Sequence, residues 1–292
     1  MDEAETIDAV GTADEAEAID TVGTTEEAGA GESIIRTTEA HTPKIRNRVR
    51  IFDILRGLAL LSMATWHCIF DLINLYGMKI PWFYEFPTQV LWGQITVYCF
   101  ILVSGACLNL GRKTARRGLV VFGCALLISL VTYLAMPEMF INFGILHMFG
   151  CCMLLAALLK PLLKKIPWGV GLAVCLALYL LLYLVPHGSI GILNYPLVDL
   201  PRELYSTSFL FPIGLPGPSY HSGDYYPIIP WVFLFFAGYF VFRPLKRIKL
   251  FTATKPGKNP IEFLGRYSLI AYMAHQPLIL LVLMLLSFAG VL

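Results

Sequence analysis

Seven stretches of this chain, roughly 51–76, 88–110, 118–136, 143–160, 168–186, 227–243 and 267–290, are apolar and long enough to cross a hydrocarbon core about 30 Å thick. Backbone polar groups in lipid must find partners within their own segment, so spans of this kind fold as helices. The composition agrees: 57% of the residues are hydrophobic and 14% charged, which excludes an ordinary soluble domain. The expected fold class is all-α, a polytopic integral membrane helix bundle of about seven transmembrane helices with the lipid bilayer as its surroundings. No nucleic-acid partner is expected.

Residues 1–43 are a different kind of chain. Ile7-Asp8-x-Val10-Gly11-Thr12 recurs as Ile19-Asp20-x-Val22-Gly23-Thr24, and residues 1–40 hold twelve acidic groups against the single Arg36. So little apolar content cannot build a core, and a disordered acidic N-terminal tail is expected. It lacks the basic start and apolar stretch of a secretory signal. The membrane domain, 44–292, then carries eight acids against twenty-one Lys and Arg, a formal net charge of +13 that the whole-chain value of +2 conceals.

Those positive charges predict an orientation. Lys44, Arg46, Arg48 and Arg50 precede the first span, and Arg112, Lys113, Arg116 and Arg117 separate the second and third. Lys160, Lys164 and Lys165 follow the fourth, and six Lys and Arg residues between Arg243 and Lys258 join the sixth to the seventh. Basic turns stay on the cytoplasmic side. This places the N-terminus inside and the C-terminus outside, in what is expected to be the plasma membrane. The long segment 187–226, rich in Pro, Gly and Tyr, becomes an extracytoplasmic cap loop. All seven cysteines lie in or beside apolar spans, which suits packing better than a disulfide framework.

Within the first span stand Asp53, Arg56, His67, Asp71 and Asn74. Ionisable groups in a membrane helix are functional suspects. At 100° per residue, with Arg56 as origin, they point at roughly 60°, 0°, 20°, 60° and 0°. Five polar groups on one line need a protein or water-filled cavity opposite them, so the stripe is expected to line a site. His67 lies about 16 Å beyond Arg56 on nearly the same azimuth. The plainer reading of Arg56 is a snorkelling side chain paired with Asp53 at i+3. For His67 it is a core imidazole satisfied by a backbone carbonyl; Asp71, one turn on, could instead hold its tautomer as a carboxylate does for a general base.

The seventh span repeats the theme. Ser268, Tyr272 and His275 lie at i, i+4 and i+7, with Gln276-Pro277 following, and Pro277 should open the helix locally. Interhelical hydrogen bonding is the alternative use of such a face. His147 lies near the outer end of the fourth span. No His pair in the spans has metal or haem spacing, so no metal and no permanently bound cofactor is expected. Midspan charges also suit a proton-coupled transporter of a small polar solute or lipid-linked sugar, although the membrane domain shows no internal repeat. A scaffold that only binds partners is a third reading.

Several segments carry a family resemblance. Arg50-Ile-Phe-Asp53-Ile-Leu-Arg56-Gly57-Leu-Ala, followed by His67, resembles the opening of the heparan-alpha-glucosaminide N-acetyltransferase-like catalytic domain. Phe143-Gly144-Ile145-Leu146-His147, Tyr226-Pro-Ile-Ile-Pro-Trp231 and Gly265-Arg266-Tyr-Ser268-Leu-Ile-Ala-Tyr272-Met-Ala-His275-Gln276-Pro277 look like later signature segments of its bacterial branch, in the expected order. The resemblance implies a transmembrane acyltransferase that takes an acetyl or acyl group from cytoplasmic acetyl-CoA. The acceptor would be a sugar amine or hydroxyl, on a glycan or glycolipid, at the outer face.

On that reading Arg56 and Asp53 belong to the donor-binding mouth, and His67 is the general base with Asp71 orienting it. His147, Tyr272, His275 and Gln276 are candidates for stabilising the oxyanion or holding substrate. Asp224 and Trp231, at the end of the cap, are candidates for reading the acceptor. Residues 77–87 contain no histidine, where the lysosomal member has its functional one, so direct transfer is expected rather than an acetyl-histidine intermediate. Seven spans also leave room for a homo-oligomer that closes the cavity.

Overall fold

The computed structural model describes residues 48–291 apart from 86–87, 112 and 256. The acidic repeat tail lies outside the described residues. Seven helices are long and apolar enough to cross a membrane. They are α1 (Arg50–Asn74), α3 (Thr88–Ala106), α4 (Thr114–Ala135), α5 (Ile145–Lys165), α6 (Trp168–Leu181), α7 (Ile228–Leu245) and α9 (Ser268–Phe288). Short helical turns extend α3 to Leu110 and α6 to His187. Two small helices, α2 (Pro81–Tyr84) and α8 (Pro260–Arg266), and a two-stranded hairpin, β1 (Ser189–Ile192) with β2 (Tyr195–Asp199), complete the fold.

The spans expected from hydropathy are all present, with ends moved by a few residues. The sixth, α7, is the shortest at 18 residues and also the most enclosed. Phe235, Ala237, Phe240 and Phe242 on it are almost wholly buried. A helix that is apolar all round belongs in the interior, and one surrounded by protein need not match the bilayer thickness. Small residues bring it to its neighbours: a Cβ on Gly105 of α3 would stand 1.8 Å from the Phe235 carbonyl oxygen, and one on Gly238 2.2 Å from that of Leu102. Backbones this close are the usual membrane solution when lipid offers no hydrophobic drive. The outer faces of α4, α6 and α9 expose Leu and Val to the lipid.

Short α8, which hydropathy did not single out, packs on the first half of α1. A Cβ on Gly57 would meet the Ile261 carbonyl oxygen at 2.0 Å, and one on Gly265 the Asp53 carbonyl oxygen at 1.7 Å. The Arg56-Gly57 and Gly265-Arg266 pairs are thus the two halves of one helix contact. Pro260 opens α8, and the Asn259 side chain caps it by accepting from the Ile261 amide at 2.9 Å. Arg48 and Thr254 exchange backbone hydrogen bonds of 2.9 and 2.8 Å beside it.

At the opposite end of the bundle the segment from Gly188 to Pro227 forms the cap. Gly223 donates to the Phe140 carbonyl at 2.8 Å and Tyr226 to that of Phe143 at 3.0 Å, tying its end to the start of α5. Tyr205 donates to the Val185 carbonyl, Tyr225 to that of Phe211 at 2.6 Å, and Tyr220 stacks on Phe211 with ring centroids 4.8 Å apart. These tyrosines hold the cap together. Among the cap's tyrosines Tyr195 stands well out, at 77% exposure.

Candidate active site

The polar stripe on α1 divides between two clusters. Asp53 and Asp71 are buried, Arg56 and His67 half-buried, and Asn74 is exposed. Asn74 lies in the last turn of α1 and donates to the Phe70 carbonyl at 2.7 Å and the Tyr84 hydroxyl at 3.0 Å, so it leaves the stripe.

At the cap-side cluster α1 meets α9. His67 donates from Nδ1 to the Met63 carbonyl at 2.9 Å. A carbonyl can only accept, so the proton sits on Nδ1 and Nε2 of the neutral ring carries a lone pair. His275 has the same arrangement, its Nδ1 donating to the Tyr272 carbonyl, and its Nε2 is a buried acceptor without a hydrogen-bond partner among the described residues. The two rings stand edge to face, 5.1 Å apart at 74°. Beside them Gln276 donates from Nε2 to Asp71 Oδ2 at 2.7 Å. Pro277, next in sequence, lies inside the continuous helix α9.

The tautomer of His67 is therefore set by Met63 and not through a hydrogen bond to Asp71. Helical side chains lean toward the N-terminus of their helix, so His67 reaches the carbonyl one turn back more readily than the carboxyl one turn ahead. Asp71 remains within electrostatic reach of the imidazole. So does Asp224, from the cap: burial pushes its carboxyl above the usual range, against the Ile145 amide and the His67 ring. Asp224 Oδ2 accepts from the Ile145 amide at 3.1 Å, which caps α5. Tyr272, on the same face of α9 as His275, also lies within electrostatic reach of Asp224.

His147 has the opposite tautomer. Its Nδ1 accepts from the Gly144 amide at 3.2 Å, its Nε2 faces Ser129 Oγ at 3.4 Å, and its ring stacks on Phe143. It is committed to the start of α5. Among the described residues no hydrogen bond or ring contact joins it to His67 or His275. Trp231 is buried among Tyr98, Tyr179, Tyr183 and Tyr226, with centroids 5.2–6.5 Å away. The hydroxyl of Tyr226 is pushed up by burial and by nearby Asp224. Trp231 and Asp224 are thus neighbours of one residue, Tyr226.

The second cluster occupies the basic end of the bundle. Arg48 pairs with Asp53 at 3.3 Å and Arg56 with Asp53 at 3.6 Å, the i+3 pair expected from sequence. The Cys107 thiol lies in the field of Arg48, Asp53, Arg56 and Arg117 together, three guanidiniums against one carboxylate. Next to them Glu262, fully buried, accepts from Arg50 Nε at 2.9 Å and from the Gly257 amide at 2.6 Å, with Arg266 at 3.5 Å. Burial alone would raise the Glu262 carboxyl, yet that amide and the two arginines hold it below the usual range.

Sequence reasoning named Arg56 and Asp53 but used Arg48 and Arg117 only as markers of orientation. Their place in the basic runs was visible; their convergence on one spot was not. Among the described residues no three His, Cys, Asp or Glu side chains gather as a metal set.

Seven apolar spans, with a half-buried imidazole pair between the first and the last, make this a multi-pass membrane protein. The sequence matches the family described as heparan-alpha-glucosaminide N-acetyltransferase, catalytic, over residues 48–277, and the chain belongs to that family. No curated protein and no solved structure matched.

Proposed function

We propose that the protein transfers an acyl group, acetyl in the family's name, from acyl-CoA at its basic end to an amine or hydroxyl of a sugar presented from the cap side. The observation that carries this reading is that one helix, α1, holds both Arg56, in its cluster with Asp53 and Arg48, and His67, about 16 Å farther along its axis. Guanidiniums suit the phosphates of CoA, and an extended thioester arm suits the intervening distance. The basic turns favour a cytoplasmic position for this mouth, which puts the cap and the acceptor on the other face.

In the transfer step the acceptor's oxygen or nitrogen attacks the thioester carbonyl while His67 Nε2 takes its proton. The tetrahedral intermediate then collapses, the carbon–sulfur bond breaks, and the departing CoA sulfur takes the proton from His67. Asp71 and Asp224 stabilise the transient imidazolium by charge, without a direct bond in the resting site. Tyr272 keeps a hydroxyl proton that can be donated to the oxyanion. His275 Nε2, being an acceptor in the neutral ring, holds a second hydrogen of the acceptor. An amine offers two such hydrogens to two lone-pair nitrogens, which favours an amine over a hydroxyl. His147 supports the bundle, and Trp231 and Asp224 border the acceptor's approach.

The test is acetyl transfer from labelled acetyl-CoA to a panel of amino sugars and neutral sugars, with the full chain in nanodiscs. His67→Ala should lower turnover by about 10²–10⁴-fold, the usual worth of a positioned base, while thermal stability stays near wild type. Wild-type turnover in His67→Ala would overturn the reading.

A further inference from the structure

The hairpin β1–β2 is built the wrong way round for water. Ile192, Tyr195, Leu197 and Val198 are more than half exposed, and Leu193 nearly so, so both faces of β2 present apolar side chains. An isolated two-stranded ribbon of this kind is not stable in water, and an apolar patch rimmed by polar groups marks a contact surface. The charged groups lie at the open end, where Ser189 donates to Asp199 at 2.9 Å with Arg202 and Glu203 following, and Asn194 is the one polar side chain at the turn. The apolar groups gather toward the turn.

The turn has a fixed depth. The Leu193 amide donates to the carbonyl of Leu180, the next-to-last residue of α6, seven residues before the span's end at His187. The Ser189 amide donates to the Leu184 carbonyl at 3.3 Å, so the hairpin runs back from the span's end along its last turns and its tip lies beside the end of α6. At this level α6 exposes Leu176, Leu180 and Leu181, so the hairpin's apolar surface continues the lipid-facing surface of the helix.

We propose that the hairpin is a membrane-dipping element of the cap, with Leu193, Tyr195, Leu197 and Val198 seated in the boundary between headgroups and acyl chains. Tyrosine is favoured at that boundary, and the Ser189–Asp199 end points to water. The cap is thereby held at a fixed height over the helix ends.

The experiment places p-benzoylphenylalanine at Tyr195 and, separately, at Leu197 of the full chain in phosphatidylcholine nanodiscs, with the same residue at Leu176 as the lipid-facing reference. After irradiation, intact mass should show one added phospholipid at both hairpin positions, as at Leu176. Cross-linked dimers without lipid adducts would make the hairpin a contact between copies and overturn the proposal. So would the absence of lipid adducts at both positions while Leu176 gives them.

Discussion

Gln276 donates a 2.7 Å hydrogen bond to the Asp71 carboxyl, joining α1 and α9 across 205 residues of sequence beside the His67–His275 pair. The bond fixes the relative position of the helices that carry the two imidazoles. Removing the amide would leave a buried carboxyl without its donor. Gln276→Ala should lower stability by about 1–2 kcal/mol, less than the full cost of an orphaned buried group because membrane helices find other partners. A double-mutant cycle with Asp71→Ala, read by thermal unfolding in detergent, should return most of that as coupling energy.

Glu262 gives the basic end a pH dependence. Burial raises its carboxyl, but the Gly257 amide, Arg50 and Arg266 bring the net below the usual value. A carboxyl lowered by folding contributes stability that is present above its unfolded pKa and lost as pH falls through the folded one. The melting temperature of wild type should therefore drop on acidification below the ordinary carboxylate range. Glu262→Gln should start lower at neutral pH and fall less over the same window.

The Gly57 contact predicts a steric effect separate from any chemistry. A Cβ there would lie 2.0 Å from the Ile261 carbonyl oxygen, with no flexible side-chain end to yield. Gly57→Val should part α8 from α1 and cost more than about 2 kcal/mol, the range of severe overpacking. Loss of folded protein on size exclusion is the readout, and the same change at Gly123, which has open space around it, should be tolerated.

His147 is predicted to matter for folding. Its Nδ1 accepts from Gly144 and caps α5, so His147→Ala should lower stability by about 1 kcal/mol, as other lost caps do. Turnover per folded molecule should change little, in contrast to His67→Ala. A thermal melt beside an activity assay separates the two.

Hydropathy made the seven spans legible because lipid admits few other structures. The Asp53–Arg56 pair was legible for the same local reason, being three residues apart on one helix. The partners that fix the site were not. Gln276 reaches Asp71 from the far end of the chain, and Arg117 joins Arg48 and Arg56 only through the packing of α4 near Cys107. The small α8 escaped notice because seven residues cannot show a helical period, and its role depends on two glycines whose contact is tertiary. The bond from His67 to a backbone carbonyl is the plainer of the two readings the sequence offered; that the carbonyl is that of Met63, with no bond to Asp71, follows from side-chain direction, which spacing alone does not supply.

The most direct measurement is calorimetric binding of acetyl-CoA to the purified full chain, comparing wild type with Arg56→Ala and His67→Ala. The account predicts binding by wild type and by His67→Ala with similar affinity, and about tenfold weaker binding by Arg56→Ala, equivalent to about 1.4 kcal/mol. Folded wild type that does not bind, or binding that ignores Arg56→Ala, would contradict the placement of the donor at the basic end of α1.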